Sequence, residues 1–349
     1  MLFYLITAGP QANIAVIKGV TVKTDFDVLG IGNALMDVIL PVDYAFLADY
    51  SLQKGSMALI DNDRVAVLGQ AFRDVEATPR EIAGGSAANT MVGIAELGVR
   101  AAYLGKIGTD GVGRRLAKGY QEAGVYFQST PSRSGAPSGQ CLIAVTPDSE
   151  RTMSTCLGTS AEFSKADVLE ADIKRARIVY MEGYLFDKVE AKAAFIKAAE
   201  IAKAHGREVS LTLSDSFCVE RHHESFVHLV RNHINILFAN EAEMLALAKT
   251  EDLDAAIDAF THENLTMCIT RSEKGSLIVD GKTRHAVPAI PVTSIVDTTG
   301  AGDQYAAGVL AGRALGLSWP DAGYLGSKAA AEVITHYGAR PETSVIPLY

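Results

Sequence analysis

Short β-branched runs alternate with helix-period stretches along most of this chain, and that alternation restricts its fold more than any other feature. Residues 101–107, 177–181, 209–213, 234–238 and 266–270 read as strands, and residues 87–97, 189–204 and 241–248 between them repeat their apolar positions as helices do. Parallel strands need a crossover between them, usually a helix, so the pattern predicts an α/β fold. The expected core is a Rossmann-like, mostly parallel sheet with helices on both faces. Helices are expected again at 301–315 and 322–336.

Residues 38–60 and 125–155 break the rhythm, because short alternating runs there are separated by Pro, Ser and Gly instead of by helices. They predict a small antiparallel β-sheet projecting from the main domain as a lid. The strand series begins at Phe26, so a single domain is expected over 25–349, with 1–24 as an N-terminal extension, a frayed tail or an upstream start. The apolar start is interrupted by Gly9, Pro10, Gln11 and Asn13, which reads as an extension and not as a membrane anchor.

A chain of 349 residues can bury a large core, and its net charge of -9 argues against a nucleic-acid partner, which calls for a basic face. Small-molecule chemistry is the expected business of the chain. Cys141, Cys156, Cys218 and Cys268 are widely spaced, so neither a disulfide framework nor a zinc site is expected, and a reducing cytoplasm fits. His222, His223, His228 and His233 fall together on one expected helix, but carboxylates at ligand spacing are sparse and a solvated face is the reading taken.

Chemistry concentrates in Asp297-Thr298-Thr299-Gly300-Ala301-Gly302-Asp303. Two glycines permit a tight turn into a helix start, whose free N–H groups suit a phosphate or a developing anion. Asp303 in the same turn is placed to act as a base on a hydroxyl brought beside that phosphate. An Asp-capped turn without chemistry has the same composition.

Three further segments invite a ligand. Gly84-Gly85 leads through Ser86 into a helix carrying Asn89, letting backbone approach a polar ligand, although a plain loop-to-helix junction looks similar. Gly30-Ile31-Gly32-Asn33-Ala34-Leu35 lacks the third glycine of a dinucleotide fingerprint, and Asn33 with Asp37 is better suited to vicinal hydroxyls of a sugar. Asn240-Glu241-Ala242-Glu243 follows a strand, where open α/β sheets bind ligands, and Glu243 suits a Mg²⁺ ion held through water; an ordinary charged helix start also fits. Gly281-Lys282-Thr283 has Ser276 where a P-loop needs glycine, so it reads as a hairpin.

In this order the glycine pair with Asn89, the Asn240-to-Glu243 motif and the 297–308 stretch resemble the PfkB (ribokinase-like) family of sugar and nucleoside kinases, over about residues 25–339. The resemblance implies ATP and Mg²⁺ as co-reactants, Asp303 as the base, and Gly300, Ala301 and Gly302 as the anion hole. It implies that Asn33, Asp37, Gly84, Gly85 and Asn89 hold sugar hydroxyls, and that Asn240, Glu243 and Thr298 organise metal and phosphate. Thr270, Arg271 and Gly275 resemble the family's nucleotide-binding turn, and Arg151 resembles an arginine that reaches the transferred phosphate, an exposed surface arginine being the other reading.

The stretch from Gly32 to Asp37 is most like the adenosine kinases of that family, with Leu35, Met57 and Tyr184 to line a purine slot. Leu185 stands where a second aromatic residue is expected. Ribokinase, fructokinase and inosine/guanosine kinase activities stay open, as do a nicotinamide-dependent oxidoreductase, which would need the missing fingerprint, and a non-catalytic sugar binder, which has no use for Asp303. A monomer or a homodimer paired through the lids is implied, with a small-molecule substrate and no membrane.

Overall fold

The computed structural model describes residues 14–17, 20–148 and 150–343. The expected extension 1–24 therefore lies in large part outside the described residues. Its described part forms an antiparallel ribbon of β1 (Ile14–Ile17) and β2 (Val20–Lys23). The remaining strands, in chain order, are β3 (Phe26–Ile31), β4 (Leu35–Pro41), β5 (Met57–Leu59), β6 (Arg80–Gly84), β7 (Ala101–Leu104) and β8 (Tyr126–Phe127). They continue as β9 (Gly139–Val145), β10 (Arg151–Cys156), β11 (Ala176–Glu182), β12 (Glu208–Thr212), β13 (Ile236–Asn240), β14 (Thr266–Thr270), β15 (Ser276–Asp280) and β16 (Thr283–Val287).

Nine strands form the main sheet in the order β16-β15-β14-β13-β12-β11-β3-β7-β8. From β14 to β8 every neighbouring pair is parallel, and β15 and β16 add an antiparallel edge. The chain builds outward from β3 through β7 to β8, then returns to β11 and builds the other way, so the order reverses between β3 and β11. In an open α/β sheet the crevice at such a reversal is where ligands bind.

Period-2 side chains share the sheet between two cores. Val28, Ile178, Tyr180 and Ile236 face one, under the helices Ser86–Glu96 and Ala301–Ala314. Leu29, Val179, Met181 and Leu237 face the other, under Val189–Ala204 and His223–His233. The helices at 189–204 and 241–248 match the expected bounds, whereas β7 stops at Leu104 because Gly105 follows. His222 sits at the joint between the helices Ser216–Arg221 and His223–His233, so the four histidines do not share one helix.

A second sheet, ordered β5-β10-β9-β4-β6, stands apart from the first. It draws on the two expected segments but departs from them in four ways. It mixes parallel and antiparallel pairs. It recruits β6, whose charged first residues are exposed and hid it from pattern reading. It also leaves β8 to the main sheet, and the first segment contains a helix, Tyr44–Asp49, capped by Asp43 accepting from Phe46 N at 2.8 Å. A six-residue helix is too short to show its period. The hairpin reading of Gly281 holds, since β15 and β16 pair across it.

Candidate functional site

Asp303 lies in the first turn of the Ala301–Ala314 helix. Its Oδ1 accepts from Ser86 Oγ at 2.6 Å and its Oδ2 from Asn89 Nδ2 at 3.2 Å, both from the Ser86–Glu96 helix. Two helix starts thus meet on one carboxylate. Burial pushes the Asp303 carboxyl up to about 7, against those two hydrogen bonds and with help from the charges of Glu182 and Asp37. A carboxylate poised near neutrality is suited to taking a proton.

Backbone shape makes the meeting possible. Gly85 and Gly300, the residues before the two helices, have φ of 99° and 81°, and a Cβ on Gly85 would lie 2.1 Å from Asn33 O. A Cβ on Gly302 would meet nothing within 4 Å, which leaves open space at the helix start. Gly302 N and Asp303 N lie in the first turn of this helix, where the helix itself supplies no acceptor. Of the expected donors Gly300, Ala301 and Gly302, Ala301 N instead turns back onto Thr298 O at 3.2 Å.

The turn ahead of this helix is fastened from three sides through Asp297. Its Oδ1 accepts from Thr299 N and Oγ1 at 3.0 and 2.7 Å, and its Oδ2 accepts from Gly338 N at 2.9 Å. Arg151 Nη2 of β10 reaches the same carboxylate at 2.5 Å, with both side chains less than a tenth exposed. The surface reading of Arg151 is thereby excluded, and the second sheet is tied to the turn at 297–300. Asp297 began the sequence motif without an assigned role.

Asn33 and Asn89 are buried at 2 % and 5 % exposure. Asp37, on β4, lies against Gly84 of β6 so closely that a Cβ there would sit 2.3 Å from its Oδ2. Burial raises Asp37 to about 6, opposed by the charges of Arg340 and then Arg151. Arg340, missed in the sequence, keeps Nε and Nη2 buried without a hydrogen-bond partner among the described residues. Glu182, also missed, ends β11 at 1 % exposure and accepts from Asn33 and Ala87. An acidic residue closing the apolar run Ile178-Val179-Tyr180-Met181 was the available signal.

Leu35 is half-buried on β4, and Tyr184 donates its hydroxyl to Ser214 O at 3.1 Å, close enough to Asp303 for their charges to interact. Leu185 is buried in the core. Met57 stands apart, half exposed on the edge strand β5, with β10 and β9 between it and β4.

The nucleotide candidates gather along the sheet edge. Asn240 of β13 pairs directly with Thr270 of β14, and Arg271 Nε lies 3.6 Å from Glu241 in the helix Glu241–Ala248. Gly275 closes the turn by accepting from Arg271 N at 2.8 Å. Asn240 and Glu243 form a capping box: Glu243 N donates to Asn240 Oδ1 at 2.8 Å, and Asn240 Nδ2 and N donate to the two Glu243 oxygens at 2.7 and 3.0 Å. Burial raises Glu243 to about 7. Both oxygens are thus already engaged, and among the described residues no group of three or more His, Cys, Asp or Glu could hold a metal ion. A Mg²⁺ ion beside Glu243 would therefore have to be held through water and by phosphates.

Residues 62–345 match the pfkB family carbohydrate kinase profile. A solved adenosine kinase from Sinorhizobium meliloti is 42 % identical, with a TM-score of 0.83 over 93 % of this chain and 98 % of its own. A probable sugar kinase from Rhizobium etli CFN 42 is 40 % identical, with a TM-score of 0.84 over 93 % and 97 %. The adenosine kinase of Saccharomyces cerevisiae is 27 % identical over 81 % of this chain and 87 % of its own.

Proposed function

Because the chain belongs to the pfkB carbohydrate kinase family, whose members transfer a phosphoryl group to a hydroxyl, we propose that it phosphorylates the 5′-hydroxyl of adenosine, giving AMP and ADP from ATP. The observation that carries this reading is Asp303, held by Ser86 and Asn89 beside the open helix start at Gly302. Asp303 takes the hydroxyl proton as the new O–P bond forms, and the bond from the γ-phosphorus to the bridging oxygen breaks to release ADP. The N–H groups of Gly302 and Asp303, with Arg151, stabilise charge on the transferring oxygens. Asn33, Asp37 and Asn89 grip the ribose over Gly84 and Gly85, and Leu35 and Tyr184 face the base, with Met57 brought in by the second sheet closing as a lid.

Asn240, Glu243, Thr270, Arg271, Gly275 and Thr298 take the nucleotide side. Mg²⁺, held through water near Glu243, would neutralise charge between the phosphates. The preference for adenosine is supported by the kinship with two adenosine kinases and by the apolar Leu35. A free sugar is the second reading, favoured by the probable sugar kinase at 40 % identity.

ADP release is measured with adenosine, inosine, guanosine, ribose and fructose in parallel. Turnover on adenosine alone is expected, with Asp303→Asn lower in kcat by about 10² to 10⁴. Turnover on a free sugar overturns the substrate, and near-normal rates in Asp303→Asn overturn the base.

A further inference from the structure

Glu182 sits where the sheet order reverses, at the end of β11 and beside β3. Its Oε1 accepts from Asn33 N at 3.3 Å and Asn33 Nδ2 at 3.0 Å, and its Oε2 accepts from Ala87 N at 2.8 Å. The donors belong to two separate segments: the β3–β4 connection that carries Asn33, and the first turn of the Ser86–Glu96 helix. That same turn presents Ser86 and Asn89 to Asp303.

Three donors converge on this side chain, which only an acceptor-only carboxylate can satisfy on both oxygens; a glutamine would turn its NH₂ toward another N–H. The backbone is shaped around it, since a Cβ on Gly32 would lie 2.3 Å from Oε2. A carboxylate confined to supporting a fold has no need of a sugar-side asparagine and a base-side helix turn as joint partners.

We propose that Glu182 is a positioning residue for phosphoryl transfer, locking the hydroxyl-gripping Asn33 to the helix turn that orients Asp303, so that one carboxylate sets both substrate grip and base alignment. The proposal rests on the reading of Asp303 as the base. The groups facing Asp303 are Ser86 and Asn89 from the helix, Asp37 from β4, Glu182 and Tyr180 from β11, and Tyr184 just beyond it. Of these, Glu182 and Asp37 push the Asp303 carboxyl up by charge. Loss of the Glu182 charge therefore moves the acid limb of the pH–rate profile to lower pH.

The test compares the wild type, Glu182→Gln, Asn33→Ala and the double variant on the best acceptor of the five, with Asp303→Asn as blank. Glu182→Gln is expected to raise KM for the acceptor and lower kcat, each by about tenfold, and to leave KM for ATP within about twofold. Its acid limb should lie at lower pH than in the wild type. The double variant should have an acceptor KM within about twofold of Asn33→Ala alone, because Glu182 acts through Asn33. Glu182→Asp keeps the charge and draws the oxygens back by one methylene; its acceptor KM should rise with the acid limb in place, and it serves as the deciding variant if Glu182→Gln does not fold.

A wild-type acceptor KM in either Glu182 variant overturns the proposal. So does a kcat loss with an unmoved limb in Glu182→Gln and penalties that add in the double variant, the behaviour of a side chain that only supports the fold. An inert wild type overturns the kinase reading itself, and this proposal with it, whereas an active wild type with indifferent variants overturns the proposal alone.

Discussion

Arg340 shows how a single side chain can set the charge of another. Its guanidinium opposes the burial that lifts Asp37 to about 6, and two of its nitrogens are buried without a partner among the described residues. Arg340→Met removes that opposition, so the Asp37 carboxyl rises further and is protonated to a greater extent just below neutral pH. Acceptor KM is expected to increase several-fold near pH 6.5 and to recover toward pH 8.5, where Asp37 is ionised in both proteins. A penalty equal at both pH values would make Arg340 a direct contact instead. Arg340 was not legible in the sequence, and Glu182 left only the faint sign of a carboxylate closing an apolar strand, because each meets partners far away in the chain. Asp303, Asn89 and Asn240 were legible because each stands beside a glycine turn or at a helix cap whose geometry is local.

At the scale of elements, the parallel strands and the helices at 189–204 and 241–248 could be read from period alone, since both faces of the main sheet are covered and its strands are continuous apolar runs. The second sheet was read only in outline. Its strand β6 has exposed, charged residues at its start, and its pairing joins segments distant in sequence, so no local pattern announces it. Arg151 gives this sheet its consequence, since β10 carries it onto Asp297. Closure of the sheet over substrate predicts slower hydrogen exchange across 139–156 when acceptor and nucleotide are both present, by at least about threefold at the slowed amides. Exchange unchanged by both ligands counts against a lid.

For the whole molecule, the site costs stability. Burial raises Asp303 from 3.8 to about 7, so the folded chain holds a proton that the unfolded chain has released between those values. Protons bound by the folded state exceed those bound by the unfolded state, and this group's contribution to stability is present below its unfolded pKa and lost as pH rises through about 7. Asp37 and Glu182, each raised to about 6, act in the same direction. The Tm of Asp303→Asn relative to the wild type is therefore expected to climb between pH 5 and pH 8, by an amount equivalent to a few kcal/mol at about 1.4 kcal/mol per pKa unit. A difference that stays flat across that range would show the Asp303 carboxyl to titrate alike in both states.

The stretch from Gly338 to Ala339 fastens a turn laid down much earlier in the sequence: Gly338 N donates to Asp297, Gln304 donates to Ala339 O at 2.9 Å, and Gly300 abuts Ala339. During synthesis the sheet strands emerge from the ribosome well before these residues do. A nascent chain still holding them in the exit tunnel has its strands available for pairing but lacks the fastening of the turn at 297–300, which is completed only after every strand of both sheets has been made.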